Sequence, residues 1–353
     1  MGGRPGSFSG PGAFARPGLR AWRVPAVGAL LAGTLLACAA SPPACAADGF
    51  PAGIWTLQDE NASITSTRPV DRYYVNGLHV SWTSRAGDVP AALAGLGHAV
   101  WGDGTQRISL GLLQKIYTPA DTAAIEPPLN DEPYAGLLVA QIKLIQDTDR
   151  TRSVLGLDAG VIGRDAGAQI VQNGFHAVIG QSGTHGWAYQ LPSEPALDAV
   201  VSRTWRFPTG HLFGLETDVL PQLGGMVGLT EDYLQPAVTL RIGEGLDADF
   251  GPPLLRPGPS GSDAYAPVRD LTWYLFAGIA GKFVAHDEFL QGSDFQASRH
   301  VTPVFTVGSF EAGIAVIWHG VRISYTQVFQ TARFVGERGN LHEYGSLAVS
   351  AMF

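Results

Sequence analysis

Two polar side chains, Gln172 and His176, lie four residues apart in the stretch from Ala168 to Gly180. Apolar residues recur there at helical spacing: Ile170, Val171, Phe175, Val178 and Ile179. A helix would place both polar side chains on one face. Because imidazole titrates near neutrality, His176 is a candidate general base. The simpler interpretation is a surface histidine on a loop helix.

A second polar group, Asp59-Glu60-Asn61, stands where a predicted strand ends. Carboxylate and amide oxygens suit a hard cation such as calcium, which can polarise a carbonyl. The alternatives are a solvated acidic loop and calcium that bridges lipid phosphates. Together the two groups predict ester hydrolysis, with His176 activating water and a cation at Asp59 and Glu60 stabilising the oxyanion.

A serine nucleophile is the other route to ester hydrolysis. The sequence contains no Gly-X-Ser-X-Gly motif. A serine paired with a histidine across barrel strands leaves almost no signature in a sequence, so this alternative stays open at this stage.

The elements that would position these groups are strands of about ten residues. After residue 47 no run of eighteen apolar residues occurs, whereas glycine is abundant (45 residues) and charged residues make up 15%. This combination predicts an all-β fold, a transmembrane antiparallel β-barrel of about twelve strands with short helices in its loops. The predicted strands are 52–61, 73–84, 106–117, 134–146, 153–162, 199–207, 211–221, 233–242, 271–284, 303–318, 321–330 and 343–353.

The last predicted strand alternates and ends at Phe353. This ending resembles the assembly signal of bacterial outer-membrane barrels. The alternative is an edge strand of a soluble sandwich.

The first 47 residues have the pattern of a signal peptide, which leaves residues 48–353 as the barrel domain. An arginine-containing segment precedes an apolar run over 27–40, and Ala44-Cys45-Ala46 supplies small residues for cleavage. Leu35 to Cys38 resembles a lipoprotein processing site and is the competing interpretation. Without the four arginines of the signal, the 23 basic residues become 19 against 31 acidic ones, a formal charge of −12. This balance argues against nucleic acid as a partner.

Because successive strands of the predicted barrel run in opposite directions, the connections between them lie alternately at its two ends. The connections after the odd-numbered strands share one end, so the Asp59-Glu60-Asn61 group and the His176 helix meet at the same rim. Two long connections fall at the opposite end: residues 85–105, with helical character over 91–99, and residues 243–270, rich in glycine and proline.

Several motifs in this order resemble the outer-membrane lipid A 3'-O-deacylase family of the LpxR type. They are Tyr73-Tyr74-Val75-Asn76-Gly77-Leu78 with Ser81-Trp82, Tyr117-Thr118-Pro119, Asp131-Glu132-Pro133-Tyr134-Ala135-Gly136, Gly167-Ala168-Gln169 through Gln172-Asn173-Gly174-Phe175-His176 to Gly180, and Gly186-Trp187 with Gln190-Leu191 and Glu194-Pro195. The resemblance extends from about Ile54 to Phe353 and so covers the whole predicted barrel domain.

The resemblance implies an integral barrel of the Gram-negative outer membrane that uses calcium to hydrolyse the 3'-linked acyloxyacyl ester of lipid A within lipopolysaccharide. By position, His176 matches the family's general base and Gln172 a polar residue of the same helix. Asp59 and Glu60 fall where the family usually shows an Asn-Asp pair tied to the metal. Val75 stands where the family often has threonine, and the loop 118–133 has no lysine or arginine.

We therefore predict a calcium-dependent lipid A deacylase with Asp59, Gln172 and His176 as catalytic residues and Asp59 and Glu60 as metal ligands. Two alternatives belong to other classes. One is a non-catalytic outer-membrane barrel with a lipid-binding, structural or pore-forming role. The other is a different acyl hydrolase, such as a phospholipase.

Overall fold

The computed structural model describes Gly2 and residues 53–65, 72–254, 263–339 and 341–353. The predicted signal peptide, residues 1–47, lies outside these ranges except for Gly2, and it stays a prediction.

Thirteen strands occur in the described residues. They are β1 Ile54–Asn61, β2 Tyr73–Thr83, β3 Thr105–Thr118, β4 Ala135–Asp147, β5 Thr151–Ile162, β6 Glu194–Trp205, β7 Phe207–Leu212, β8 Leu215–Gly228, β9 Glu231–Glu244, β10 Leu271–Asp287, β11 Thr306–Trp318, β12 Val321–Gln330 and β13 His342–Met352. All the pairings between them are antiparallel.

Strands that follow one another in the chain pair with each other, except β6 and β7, and two further pairings close the sheet. β1 pairs with β13, with Ile54 opposite Met352, and β6 pairs with β8, with Asp198 opposite Gly228. β7 continues the line of β6 along β8 but does not pair with β5. The result is a closed barrel of twelve strands with β7 as an additional edge strand, which confirms the predicted fold.

Alternation along each strand separates two faces of the wall. On β1 the side chains of Thr56, Gln58 and Glu60 are buried in the lumen, whereas Trp55 on the other face is 51% exposed. Exposed apolar side chains continue around the outward face, as a lipid-facing surface requires. They include Leu78, Val80, Leu110, Leu112, Ile142, Leu157, Leu240, Leu275, Ile279, Ile314, Trp318 and Ile323.

The prediction was wrong between residues 199 and 232. Pro208-Thr209-Gly210 was expected to be a turn, but these residues lie in β7, and the chain reverses at Phe213-Gly214, where both φ angles are positive (54° and 82°). Residues 222–232 were expected to be a loop, yet β8 runs to Gly228. Pairing with β6 and β9 on both sides satisfies the backbone of this glycine-rich stretch, so tertiary contacts outweigh its low strand propensity.

Three α-helices lie outside the strands in the described part of the chain: α1 Ala91–Trp101, α2 Ala168–Ile179 and α3 Glu288–Gln291. α1 and α2 were both expected from the sequence. None of the described helices is long and apolar enough to cross a membrane. α2 and α3 lie at the end of the barrel that carries the long connections 163–193 and 288–305, which we call the loop end. The opposite end is the turn end.

The glycine- and proline-rich connection after β9 folds into the lumen from the turn end. Pro253 accepts a hydrogen bond at its carbonyl from Gln58 Nε2 at 3.1 Å, and Asp263 accepts one from Ser81 Oγ at 2.8 Å. Tyr265 is buried and donates its hydroxyl to the Gly320 carbonyl oxygen at 2.7 Å. The described parts of this connection therefore form a plug, which we define as residues 245–254 and 263–266.

The loop end is closed by contacts between loops. Arg333 donates to Glu132 at 2.7 Å and to Asp287 at 3.2 Å, and all three side chains are buried. Beneath them the rings of Tyr117 and Phe289 pack with centroids 4.4 Å apart. Both ends of the lumen are thus covered by described residues.

Candidate functional site

Helix α2 lies against the outward face of the barrel wall. Gly136 on β4 faces outward, and a Cβ atom added there would stand 2.5 Å from the Cβ of Ala168, the first residue of α2. Gln114 on β3 donates from Nε2 to the Ala166 carbonyl oxygen at 2.8 Å. The helix is therefore on the lipid side of the wall and not over the lumen.

An apolar cluster fixes the helix on this wall. It consists of Val75, Ile116, Tyr134, Ala168 and Trp187. Val75 reaches it because the pairing of β2 with β3 is irregular between Tyr74 and Asn76, as at a β-bulge. Glycines mark both ends of the helix: Gly167 and Gly180 have φ angles of 69° and 73°.

His176 lies near the end of α2 and is buried. Its Nδ1 is 2.9 Å from the carbonyl oxygen of Ser182. Because a carbonyl can only accept, Nδ1 carries the proton in the neutral ring, which leaves Nε2 as the basic nitrogen. The chain that turns back at Gly180 thus sets the tautomer that a general base requires.

Gln172 lies one helical turn before His176, and its side chain is also buried. Its Oε1 accepts hydrogen bonds from Trp187 Nε1 at 3.1 Å and from Thr184 Oγ1 at 3.2 Å. These bonds fix the amide so that its Nε2 is the donor end, and this buried nitrogen has no hydrogen-bond partner among the described residues. A buried donor without a partner is unusual in a folded protein, so this N–H is a candidate hydrogen-bond donor to a ligand.

Asp59 is on the outward face of β1. Its cross-strand neighbours are Leu78 on β2 and Leu347 on β13, and Asn76 Nδ2 donates to its Oδ1 at 2.7 Å. A carboxylate among lipid-facing leucines is energetically costly, and such residues commonly carry function.

Glu60 is on the opposite, inward face. Its carboxylate accepts from Tyr74 Oη at 2.9 Å and from Gln58 Nε2 at 3.4 Å, and it lines an interior cavity with Lys282 and Glu311. The structure therefore separates the two acids that the sequence placed together, since consecutive strand residues point to opposite faces. In the described part of the chain, no three His, Cys, Asp or Glu side chains are grouped to hold a metal ion.

The side chains around Asp59 and those around Gln172 lie next to each other on the outward face of the barrel wall. Asn76, which holds Asp59, is adjacent to Val75, and Val75 packs in the cluster that contains Trp187, the donor to Gln172. We call Asp59, Asn76, Gln172 and His176 the outer-wall site.

Lys115 is not part of the outer-wall site. It faces the lumen, where it lines a cavity with His79 and Lys143. Its neighbour Ile116 is the β3 residue that packs under α2.

Two further residues of this region were not singled out from the sequence. Asn76 belongs to a recognised motif, but only the pairing of β1 with β2 shows that it holds Asp59. Thr184 carries no sequence signal, because its contact with Gln172 depends on how the loop returns along α2.

Comparison with known proteins identifies the family of this chain. A sequence profile described as "Outer membrane protein LpxR" matches residues 30–353. The chain belongs to the LpxR family of outer-membrane proteins.

Solved structures agree with this family assignment. LpxR from Salmonella typhimurium superimposes with a TM-score of 0.70 at 21% identity, covering 85% of this chain and 100% of that one. The β domain of the Bordetella autotransporter BrkA is much less similar, with a TM-score of 0.42 at 11% identity over 86% of this chain and 100% of that one. A comparison with curated protein sequences gave no match.

Membership of the LpxR family confirms the resemblance seen in the sequence motifs and the predicted location in the outer membrane. The match to the Salmonella structure supports the same barrel fold.

Proposed function

We propose that this protein is a lipid A deacylase that hydrolyses the 3'-linked acyloxyacyl ester at the outer-wall site, with calcium as its cofactor. The observation that carries the proposal is the position of the site. A buried histidine and an amide N–H with no hydrogen-bond partner among the described residues lie on the lipid side of the wall at the loop end. A lipid in the membrane could bring an ester bond to them without entering the lumen.

In the proposed reaction His176 acts as the general base. Its Nε2 removes a proton from water, whose oxygen attacks the ester carbonyl carbon, and the proton is then delivered to the departing alkoxide. The bond from Nδ1 to the Ser182 carbonyl keeps the ring in the required tautomer and orientation. Gln172 donates from Nε2 to the carbonyl oxygen as negative charge develops there.

The calcium part of the proposal concerns Asp59. Its outward carboxylate is an oxygen donor that suits a hard cation, and it is held in place by the amide of Asn76. Bound calcium would polarise the ester carbonyl. The Glu60 carboxylate does not fit the same ion in this arrangement, because Tyr74 and Gln58 hold it in the lumen.

The filled lumen favours an enzyme over the pore alternative. The plug binds Gln58 and Ser81 at mid-barrel, and the Arg333 contacts cover the loop end. A transport path would require these described contacts to break.

The experiment uses purified barrel in detergent micelles with lipid A, with and without a calcium chelator, and identifies the released chains by mass spectrometry. We expect loss of the 3'-linked acyl group, dependence on calcium, and a fall of about 10²- to 10⁴-fold in rate for His176→Asn. A parallel incubation with phospholipid tests the other acyl hydrolase.

His98→Asn is a matched control. His98 also lies at a helix end with Nδ1 bonded to a carbonyl, that of Gly102 at 3.0 Å, but it is in α1 at the turn end. It should leave the rate unchanged. If folded wild-type barrel leaves lipid A intact with calcium present, the proposed activity is wrong.

A further inference from the structure

A groove outside the outer-wall site opens on the loop end. It has a volume of about 600 Å³ and lies between the turn that precedes α2, the segment 189–193 and the segment 297–299. Arg164, Tyr189 and Arg299 are among its lining residues.

One arginine of the groove is held in position before any ligand arrives. Arg299 donates from Nη1 to the Pro127 carbonyl oxygen, and its guanidinium carbon lies 4.6 Å from the centre of the Tyr189 ring. Its Nη2 also pairs with the exposed carboxylate of Glu126 at 3.4 Å, and the side chain, only 15% exposed, lines the groove. Fixing a long side chain in advance lowers the entropic cost of binding.

The second arginine is available to a ligand. Arg164 is exposed and has no ion pair or side-chain hydrogen bond with the described residues. Its backbone is fixed, because Gly163 adopts a φ of 88° and approaches so closely that an added Cβ would stand 2.0 Å from the Pro192 carbonyl oxygen. The Asp165 N–H donates to Ser193 Oγ at 3.0 Å across the same junction.

These groups match the chemistry of a negatively charged sugar. Guanidinium groups bind carboxylate or phosphate through charge-assisted hydrogen bonds. The partly exposed ring of Tyr189 offers a flat surface on which a sugar ring can pack. Gln190, Ser193 and Asp165 add donors and acceptors for hydroxyl groups. The acid Asp165 also keeps the groove from being uniformly positive, which disfavours an extended polyanion.

The position of the groove relates it to the outer-wall site. Arg164 begins the short turn that ends at Gly167, the residue before α2, so the groove and the helix of His176 share one rigid junction. We propose that the groove binds an anionic sugar of the lipopolysaccharide head group. This inference rests on the proposed function, because it assigns the water-exposed part of the same substrate.

The binding test does not depend on hydrolysis. Lipid-free core oligosaccharide, released from lipopolysaccharide by mild acid, is titrated into wild-type barrel in detergent by calorimetry. Inorganic phosphate and a neutral oligosaccharide of similar length are separate probes. We expect the charged oligosaccharide to bind, and Arg164→Gln and Tyr189→Ala each to weaken it about tenfold. Arg85→Gln, an exposed arginine at the turn end, is the matched control and should not change the affinity.

Three outcomes would overturn the assignment. The charged oligosaccharide does not bind, it binds no more tightly than the neutral oligosaccharide or phosphate, or Arg164→Gln does not change its affinity. If the barrel binds the charged oligosaccharide but does not cleave lipid A, the groove assignment is supported and the proposed function is wrong. In an active enzyme, Arg164→Gln should raise KM about tenfold for lipopolysaccharide and leave kcat and the KM for sugar-free lipid A unchanged.

Discussion

Asp59 and Glu60 are neighbours in sequence, yet they belong to two different environments. Asp59 faces outward among leucines and is held by one amide, whereas Glu60 faces the lumen in a network of polar side chains. The outward face resembles a membrane-facing enzyme surface and the inward face resembles a polar protein core. Chemical type alone therefore does not distinguish the two acids; the face of the wall on which each side chain lies does.

The lumen contains charged groups that satisfy one another. Near the turn end Arg241 bonds to Asp218 at 2.6 Å and to Asp249 at 2.7 Å, and Asp249 also accepts from Tyr274 Oη at 2.8 Å. All four side chains are buried. Such a network acts on stability, whereas the buried Nε2 of Gln172 on the outer side has no hydrogen-bond partner among the described residues.

The largest predicted effect separates the two acids. Asp59→Asn should lower kcat/KM for lipid A deacylation about 10³-fold, because it removes the outward carboxylate proposed to hold calcium. Glu60→Gln, with its side chain in the lumen, should change kcat/KM by less than about threefold. Both are measured by mass spectrometry at saturating calcium. The reverse order of effects would place the cation on the lumen side of the wall.

The next effect concerns the lumen. Arg241→Met should lower the free energy of unfolding by about 3–5 kcal/mol, because Asp218 and Asp249 lose their buried cation. Urea unfolding in lipid vesicles measures the change. Arg269→Met is the control, since Arg269 is 52% exposed where it pairs with Glu216 and should contribute under about 1 kcal/mol. The activity per folded molecule should be normal in both variants; a loss would show that the two faces are coupled.

A third variant moves the outer-wall site without changing its chemistry. Gly136→Val would push a side chain into Ala168 and displace α2, since even a Cβ would stand 2.5 Å from that residue. A shift of about 1 Å in a catalytic group costs about 10²-fold in rate. We expect this loss with an unchanged unfolding midpoint. Normal activity would show that the position of α2 on the wall is not critical.

The smallest effect is a pH dependence at the loop end. Burial, with Glu194 nearby, raises the pKa of Glu288 from 4.5 to about 9. The folded state therefore holds this proton more tightly, and the resulting stabilisation is complete below about pH 4.5 and lost as the pH rises through 9. The melting temperature of the wild type should fall by roughly a few degrees between pH 7 and pH 10.

Glu288→Gln, which cannot ionise, should flatten this dependence. Glu244→Gln, at an exposed position of the turn end, should not flatten it. If Glu288→Gln and wild type show the same profile, ionisation of Glu288 does not limit stability.

The barrel and α2 could be predicted because their signals are local. Short windows of sequence show the alternating residues of the strands and the glycines at both ends of α2. They also show Gln172 and His176 at helical spacing. The sequence analysis put Asp59 and Glu60 on one cation, although the two-residue period of a strand puts Asp59 on the face of Trp55 and Leu57 and Glu60 on the opposite face.

The rest depended on distant partners. The plug could not be predicted, because Pro253 and Asp263 meet Gln58 and Ser81, which are almost two hundred residues away in sequence. The extension of β8 likewise depends on its neighbours β6 and β9 and not on its own glycine-rich composition.

The segment after β1 has a consequence for barrel assembly. It leaves the wall and crosses the outward face of the last strand, where the Ile64 carbonyl oxygen would be 1.7 Å from a Cβ at Gly345 and accepts from Tyr325 Oη of β12 at 3.2 Å. These contacts join the segment that follows β1 to β12 and β13, on the other side of the seam where β1 pairs with β13. The segment therefore spans the seam and opposes separation of the first and last strands.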